Sequence, residues 1–115
     1  MKVSQKQFEE FKKECLRLQK EWGLNGYRLF FYFKELESRY AESETDLKGM
    51  TASIRLSSEL SELALGDLNI SEAAKHEMIH VLLGRVLTMG YTRFIDKKEM
   101  VSAEEEVVRI LEKIL

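Results

Sequence analysis

The amino-acid sequence predicts an α+β protein in which helices at both ends of the chain flank a small sheet. Residues 4–22 place apolar side chains at spacings of three and four, the pattern of a helix with one buried face. Residues 51–57 alternate apolar and polar side chains, as a half-buried strand does. Residues 71–88 are apolar on nearly every side, which is typical of a buried helix. At 115 residues the chain has the length of a single domain.

The first predicted helix has well-marked ends. Ser4 followed by Gln7 forms a capping box, in which each residue satisfies a backbone amide of the first turn. Gly23 suits the left-handed backbone position just past a helix C-terminus. Because Cys15 lies on the apolar stripe of this helix, we expect its thiol to be a small core group and not a nucleophile.

Three strands are expected next, in a mostly antiparallel sheet. Residues 27–36 are rich in Phe and Tyr and follow the turn-forming pair Asn25 and Gly26, a combination that favours a strand. Residues 40–42 are expected to belong to a second strand. The turn at 46–49 then leads into the third strand, 51–57.

The second half of the chain is expected to be mainly helical. Residues 58–68 fit either a helical turn or an irregular crossover and are left unassigned. The buried helix 71–88 opens with a capping box, for which Asn69 with Glu72 is the better of two registers. The final helix begins either near Asp96 or at Ser102 and runs to the end of the chain.

Composition excludes several classes of function. The 18 basic and 20 acidic residues give a net charge of −2, which is too balanced for a protein that binds nucleic acid by neutralising phosphates. The longest apolar run, residues 29–33, is far shorter than the roughly 20 residues of a membrane-spanning helix, and the charged first 25 residues are unlike a secretory signal. The only cysteine, Cys15, cannot form an internal disulfide. We therefore expect a cytoplasmic protein with neither nucleic acid nor membrane as a partner.

The string HEMIH on the buried helix is the one pattern that carries chemistry. Its residues are His76, Glu77 and His80, and they include both histidines of the chain. A spacing of four places the two imidazoles about 40° apart on one helix face, one turn from each other, so that they can bind one metal ion. Glu77 lies beside them, where it can activate a zinc-bound water for peptide hydrolysis. The alternative interpretation is a pair of hydrogen-bonded structural histidines.

A hydrolytic zinc site has three protein ligands, and the third is expected to be a carboxylate. No third histidine remains in the chain, so the acidic cluster Glu104, Glu105 and Glu106 on the final helix is the natural source. At 100° per residue, Glu104 lies about 40° from the centre of the apolar stripe and the other two lie more than about 100° away. Helical phase therefore favours Glu104. The alternative is that all three decorate a helix N-terminus, where negative charge is favourable.

These residues resemble a family of metallopeptidases. His76, Glu77, His80 and a glutamate 24 residues later are similar to the gluzincins. The small size resembles the minigluzincins, in which a helix, a short sheet, the HExxH helix and a glutamate-bearing helix make up nearly the whole protein. The strings TASIRLS, KHEMIHVLLGRV and EEEVVRIL also resemble small SprT-like metallopeptidases of bacteriophage genomes. SprT-type proteins typically use a histidine as third ligand, and this chain departs from them there.

The resemblance covers residues 27–115 and implies a minimal zincin-like fold. It implies a zinc-dependent metallopeptidase of the gluzincin type, with His76, His80 and Glu104 as zinc ligands and Glu77 as the general base. The strand 51–57 would offer its free edge to an extended peptide substrate.

A donor for the oxyanion of the reaction is also required. Tyr91 and Arg93, in the segment after the HExxH helix, are candidates on reach alone.

Two other functions remain open. One is a zinc-binding but non-catalytic phage or host-interaction module, and the other is a metal-free surface that binds a partner protein.

Overall fold

The computed structural model describes residues 2–37, 39–46, 48–91 and 97–115. It has the predicted α+β class, with an N-terminal helix, a three-stranded sheet and helices in the second half of the chain. In chain order the elements are α1 (Gln5–Glu21), β1 (Arg28–Lys34), β2 (Ala41–Asp46), β3 (Thr51–Ser57), α2 (Glu62–Asp67), α3 (Ile70–Tyr91) and α4 (Lys97–Ile114).

Helix α1 has the ends and the buried face that its sequence predicts. The backbone amide of Gln7 donates to Ser4 Oγ at 3.1 Å, and the Gln7 side chain accepts from the Ser4 amide at 2.9 Å. Gly23 follows the helix with a φ of 71°, a left-handed conformation that costs glycine little. The buried side chains of this helix are Phe8, Phe11, Cys15 and Leu18.

The sheet has the order β1-β3-β2, with β3 in the centre. β3 is parallel to β1 and antiparallel to β2, so the sheet is mixed, whereas the sequence favoured a mostly antiparallel one. Strand β3 runs from Thr51 to Ser57 as predicted, but both of its edges are paired. The expectation that this strand offers a free edge to a substrate is therefore wrong. Alternation along a strand shows which face is buried, but it does not show which strands lie on either side.

The helices of the second half begin close to the expected positions. The unassigned segment contains the short helix α2, whose first turn is capped by Ser61. At the start of α3, Asn69 Oδ1 accepts from the Glu72 amide at 3.1 Å, which is the favoured register. Helix α4 begins at Lys97, so the earlier of its two predicted starts is correct. None of the described helices is both long and apolar enough to cross a membrane.

The core lies between the sheet and two helices. α1 packs against α3, and both contribute to one cluster with the inner residues of β3. Phe8 of α1 stacks on Phe33 of β1, with ring centroids 4.8 Å apart. Helix α4 packs on α3, which therefore has the core on one side and α4 on the other. The fully buried side chains at the centre of the core are Phe11, Cys15, Ile54, Leu56, Met78 and Val81.

A glycine allows β2 to lie close to α3. A Cβ atom added at Gly84 would lie 3.0 Å from Thr45 Oγ1 and 3.1 Å from Thr45 Cβ. These contacts are tight, and the Cβ of Thr45 is not a flexible side-chain end. The absence of a side chain at Gly84 therefore sets how near β2 approaches the helix that carries HEMIH.

We predict that Gly84→Ala destabilises the protein relative to a matched glycine substitution. Overpacking costs about 1–3 kcal/mol, which exceeds the gain of at most about 1 kcal/mol from higher helix propensity. Gly66→Ala in α2 is the control, because a Cβ there meets nothing within 4 Å. Urea denaturation should show Gly84→Ala to be less stable than Gly66→Ala by at least about 1 kcal/mol. Equal stabilities would show that β2 does not depend on this contact.

We also predict that the Cys15 thiol is unreactive in the folded protein. Its side chain is fully buried, and desolvation, with the nearby charges of Glu77 and Glu14, raises its pKa well above the ordinary range. Because the thiolate is the reacting species, a disulfide reagent at pH 8 should label the native protein at least about tenfold more slowly than the unfolded protein. Equal rates would place the thiol at the surface.

Candidate metal centre

Helix α3 presents the two histidines on one face. The rings of His76 and His80 lie with centroids 5.0 Å apart and planes at 65°. Their side chains are partly buried, with 29% and 17% of the surface exposed. The spacing of four residues thus brings the imidazoles together, as the sequence predicts.

Helix α4 supplies one carboxylate to the Nδ1 atom of each imidazole. Glu104 Oε2 lies 2.6 Å from His80 Nδ1, and Glu112 Oε2 lies 3.0 Å from His76 Nδ1. An ionised carboxylate only accepts hydrogen bonds, so each Nδ1 is the donor. In a neutral imidazole this leaves the lone pair on Nε2, the atom on the other side of the ring.

Both Nε2 atoms face a third carboxylate, that of Glu105. Glu105 Oε1 lies 2.9 Å from His80 Nε2, and Glu105 Oε2 lies 3.8 Å from His76 Nε2. One ligand atom from each of these residues lies within 4.8 Å of the others, and together they form a group that could hold a metal ion. We call His76, His80 and Glu105 the metal triad.

The metal triad fits zinc in its chemistry. Two imidazole nitrogens and one carboxylate oxygen are a known set of protein ligands for catalytic zinc, which leaves a fourth position open. Bond lengths of about 2.0–2.1 Å in a tetrahedron place the ligand atoms roughly 3.4 Å apart. The observed separations of 2.9 and 3.8 Å lie on either side of that value.

Glu77 is a buried carboxyl group next to the metal triad. Only 5% of its surface is exposed, and its backbone carbonyl accepts from Ser43 Oγ of β2 at 3.5 Å. Burial raises the pKa of Glu77 above its ordinary value, although the nearby His76 and His80 act in the opposite direction. A carboxylate whose pKa is raised takes up a proton more readily, as a general base must.

The three glutamates of the acidic cluster occupy different places. Glu104 lies at His80 Nδ1, Glu105 lies at both Nε2 atoms, and Glu106 is exposed. The ligand role that helical phase favours for Glu104 stays a prediction. Glu105 contacts the imidazoles although it lies far from the centre of the apolar stripe. Helical phase measures only the distance from that centre and does not show where the side chains of a neighbouring helix lie.

Sequence reasoning missed Glu112. It follows Glu105 by seven residues, which places the two about 20° apart on one face of α4, two turns from each other. The spacing of seven residues was the feature of the sequence that could have identified Glu112, because it places Glu112 on the same helix face as Glu105. The expected oxyanion donors fall elsewhere: Arg93 lies outside the described residues, and Tyr91 lies outside the described side chains.

Two hollows meet at the metal triad. The first, which we call the β2 hollow, has a volume of about 320 Å³ and lies between β2 residues 41–45 and α3. The second, which we call the α2 hollow, has a volume of about 560 Å³ and extends past His76 to residues 67–69, between α2 and α3. The residues that line both hollows are Arg39, Ala41, His76, Glu77, Val101 and Glu105. His76 and Glu105 of the triad therefore lie where the hollows join, and His80 lines the β2 hollow alone.

Comparisons with known proteins give one likeness. No protein-family model matches the sequence, and no curated protein matches it. Among solved structures, the chain is similar to the crystal structure of the metallopeptidase zymogen of Methanocaldococcus jannaschii jannalysin, with 17% sequence identity and a TM-score of 0.41. The likeness covers 91% of this chain and 90% of that one. We therefore assign roles from the residues of this chain alone, and the resemblance to SprT-like and phage proteins stays a prediction.

Proposed function

We propose that this protein is a zinc-dependent metallopeptidase in which His76, His80 and Glu105 bind the metal and Glu77 is the general base. One observation carries the proposal: the Nε2 atoms of both histidines face one carboxylate, while the buried Glu77 stands beside them at the junction of two hollows. This ligand set takes Glu105 where the sequence favoured Glu104.

Glu104 and Glu112 act as positioning residues in this proposal. Each accepts a hydrogen bond from Nδ1 of one histidine, at 2.6 and 3.0 Å. Such bonds hold an imidazole in the tautomer and orientation that present Nε2 to the metal, and they raise its basicity. Because Glu104, Glu105 and Glu112 all belong to α4, one helix would supply a ligand and both positioning carboxylates.

The chemistry assigned to the chain is the movement of one proton. A bound zinc ion would supply a Lewis acid that polarises the scissile carbonyl and makes water more acidic. Glu77 takes a proton from the attacking water as the oxygen–carbon bond forms, and gives it to the amine nitrogen as the carbon–nitrogen bond breaks. Its burial excludes bulk water from competing for that proton.

The edge of β2 is the proposed binding place for an extended substrate. Within the described residues β2 pairs with β3 alone, and its residues 41–45 line the β2 hollow together with both histidines. A peptide could therefore add to this edge by main-chain hydrogen bonds and continue into the α2 hollow. In this proposal β2 binds the substrate, a role that we had predicted for the strand 51–57.

We expect Glu77→Gln to abolish peptide cleavage and to leave zinc bound. The amide keeps the shape of the side chain but cannot take a proton, so cleavage of labelled casein by zinc-loaded protein should fall at least about 100-fold. Elemental analysis should still find one zinc per chain. The matched control is Glu72→Gln, an exposed glutamate of the same helix.

The outcomes separate the candidate functions. Loss of zinc together with activity would show that Glu77 is not the base. Wild-type protein that binds zinc but cleaves nothing would favour the non-catalytic module. Less than a tenth of an equivalent of zinc in the wild type, after zinc-replete expression, would contradict both metal-dependent functions.

The ligand set predicts an order of zinc affinities among four Glu→Gln variants of α4. Glu105→Gln should weaken zinc binding most, because it removes a ligand. Glu104→Gln and Glu112→Gln should each weaken it about 10–100-fold, as loss of a positioning carboxylate does. Glu106→Gln should change nothing, since that residue is exposed. Competition with a chromophoric zinc chelator measures all four, and a larger loss for Glu104→Gln than for Glu105→Gln would restore Glu104 as the ligand.

A further inference from the structure

Arg39 lies beside both hollows of the cleft. It precedes β2 and lines both the β2 hollow and the α2 hollow. The residues that share this double position are His76 and Glu105 of the metal triad, the neighbouring Glu77, and Ala41 and Val101. Among the described residues that line either hollow, Arg39 is the only lysine or arginine. A residue with a positively charged side chain therefore lies at the junction of the hollows, where a peptide that crosses both would pass the metal triad.

Three carboxylates that line the hollows with Arg39 have other partners. Glu104 and Glu112 accept from the two histidines. Glu42 of β2 pairs with Arg55 at 2.6 Å. In the part of the chain that the structure describes, no ion pair of Arg39 is found. Its guanidinium carries five N–H donors, and these are available to a ligand.

The local charge balance tolerates an arginine beside a divalent cation. The side chains of Glu77, Glu104, Glu105 and Glu112 surround the two histidines. When ionised they carry four negative charges, which outweigh the two positive charges of a zinc ion. A guanidinium can therefore lie near the metal without net repulsion.

We infer that Arg39 is a catalytic residue that donates a hydrogen bond to the carbonyl oxygen of the scissile peptide bond. The inference rests on the proposed function. When water adds to the carbonyl carbon, the π electron pair moves to that oxygen, which becomes negative, and the proton of the water goes to Glu77. Arg39 stabilises the negative oxygen and keeps its own protons. The π bond forms again as the carbon–nitrogen bond breaks, and Glu77 returns the proton to the amine.

Other donors of the cleft are less well placed for this role. The hydroxyl groups of Ser43 and Thr45 line the β2 hollow alone, and Tyr40 lines the α2 hollow without the other. None of them stands at the junction, and none carries a positive charge. A charged donor stabilises a developing oxyanion more than a neutral hydroxyl does.

The test compares zinc-loaded Arg39→Ala and Arg39→Lys with the wild type on a fluorogenic peptide derived from a casein cleavage site. Arg39→Ala should lower kcat about 10²–10³-fold, the usual effect of losing one oxyanion donor, with KM changed less than about threefold because the bond strengthens only in the transition state. Arg39→Lys should recover part of the loss. Added guanidinium should rescue Arg39→Ala and not the wild type. Arg28→Ala, an exposed arginine of β1, is the control and should keep full activity.

A binding measurement separates catalysis from structure. A phosphinic peptide of the same sequence imitates the negative tetrahedral species, so its affinity should fall in Arg39→Ala by about the same factor as kcat/KM. In the Glu77→Gln background, Arg39→Ala should leave the affinity for the uncleaved peptide and for zinc unchanged.

Each other outcome overturns a stated claim. If the wild type cleaves the peptide and Arg39→Ala keeps more than a third of kcat, this inference is wrong and the proposed function stands. A rise in KM at constant kcat would make Arg39 a substrate-binding residue only, which also contradicts the inference. If the zinc-loaded wild type cleaves no casein, the proposed function fails and the inference fails with it.

Discussion

The packing of α4 against α3 is the constraint on which the site depends. Two imidazoles on a largely buried helix need partners, because a polar group removed from water without a hydrogen bond costs a few kcal/mol. Helix α4 meets that need at both Nδ1 atoms, where Glu112 and Glu104 accept hydrogen bonds, and it places Glu105 opposite both Nε2 atoms. If α4 were rotated or shifted by one turn, the histidines would lose these partners together. The contact between the two helices and the candidate metal centre are thus one feature of the molecule.

A second constraint holds β2 against the other side of the site. Gly84 lets Thr45 approach the helix backbone, and Ser43 Oγ donates to the Glu77 carbonyl. Arg55 of β3 joins Glu42 on the neighbouring strand and so ties β2 to the centre of the sheet. As a result the edge of β2, Glu77 and the two histidines form the walls of one cleft. The edge strand beside the cleft is β2 because the parallel pairing of β1 with β3 leaves β2 next to α3.

The cleft contains several carboxylates close to one another, together with groups that carry or could bind positive charge. Closely spaced carboxylates repel one another, and a cation among them lowers the free energy of the arrangement. Positive charge could come from a metal ion at the metal triad, and it comes also from Arg39 at the junction of the hollows. Burial raises the pKa of Glu77, whereas Glu104 and Glu112 accept hydrogen bonds from the Nδ1 atoms of the imidazoles. Position relative to the histidines thus distinguishes groups that are chemically alike.

The sequence by itself determined the features that depend on local geometry. A spacing of four brought His76 and His80 together, side chains that cap the first turn marked the starts of α1 and α3, and alternation located β3. The tertiary structure alone decided which strand lies at the edge and which carboxylate meets the Nε2 atoms. Strand order is set by pairing between distant segments, which a period of two residues does not encode. The choice between Glu104 and Glu105 depends on the rotation of α4 against α3. Consecutive residues lie 100° apart around a helix, so which of these two carboxylates faces the Nε2 atoms is decided only when the helices pack.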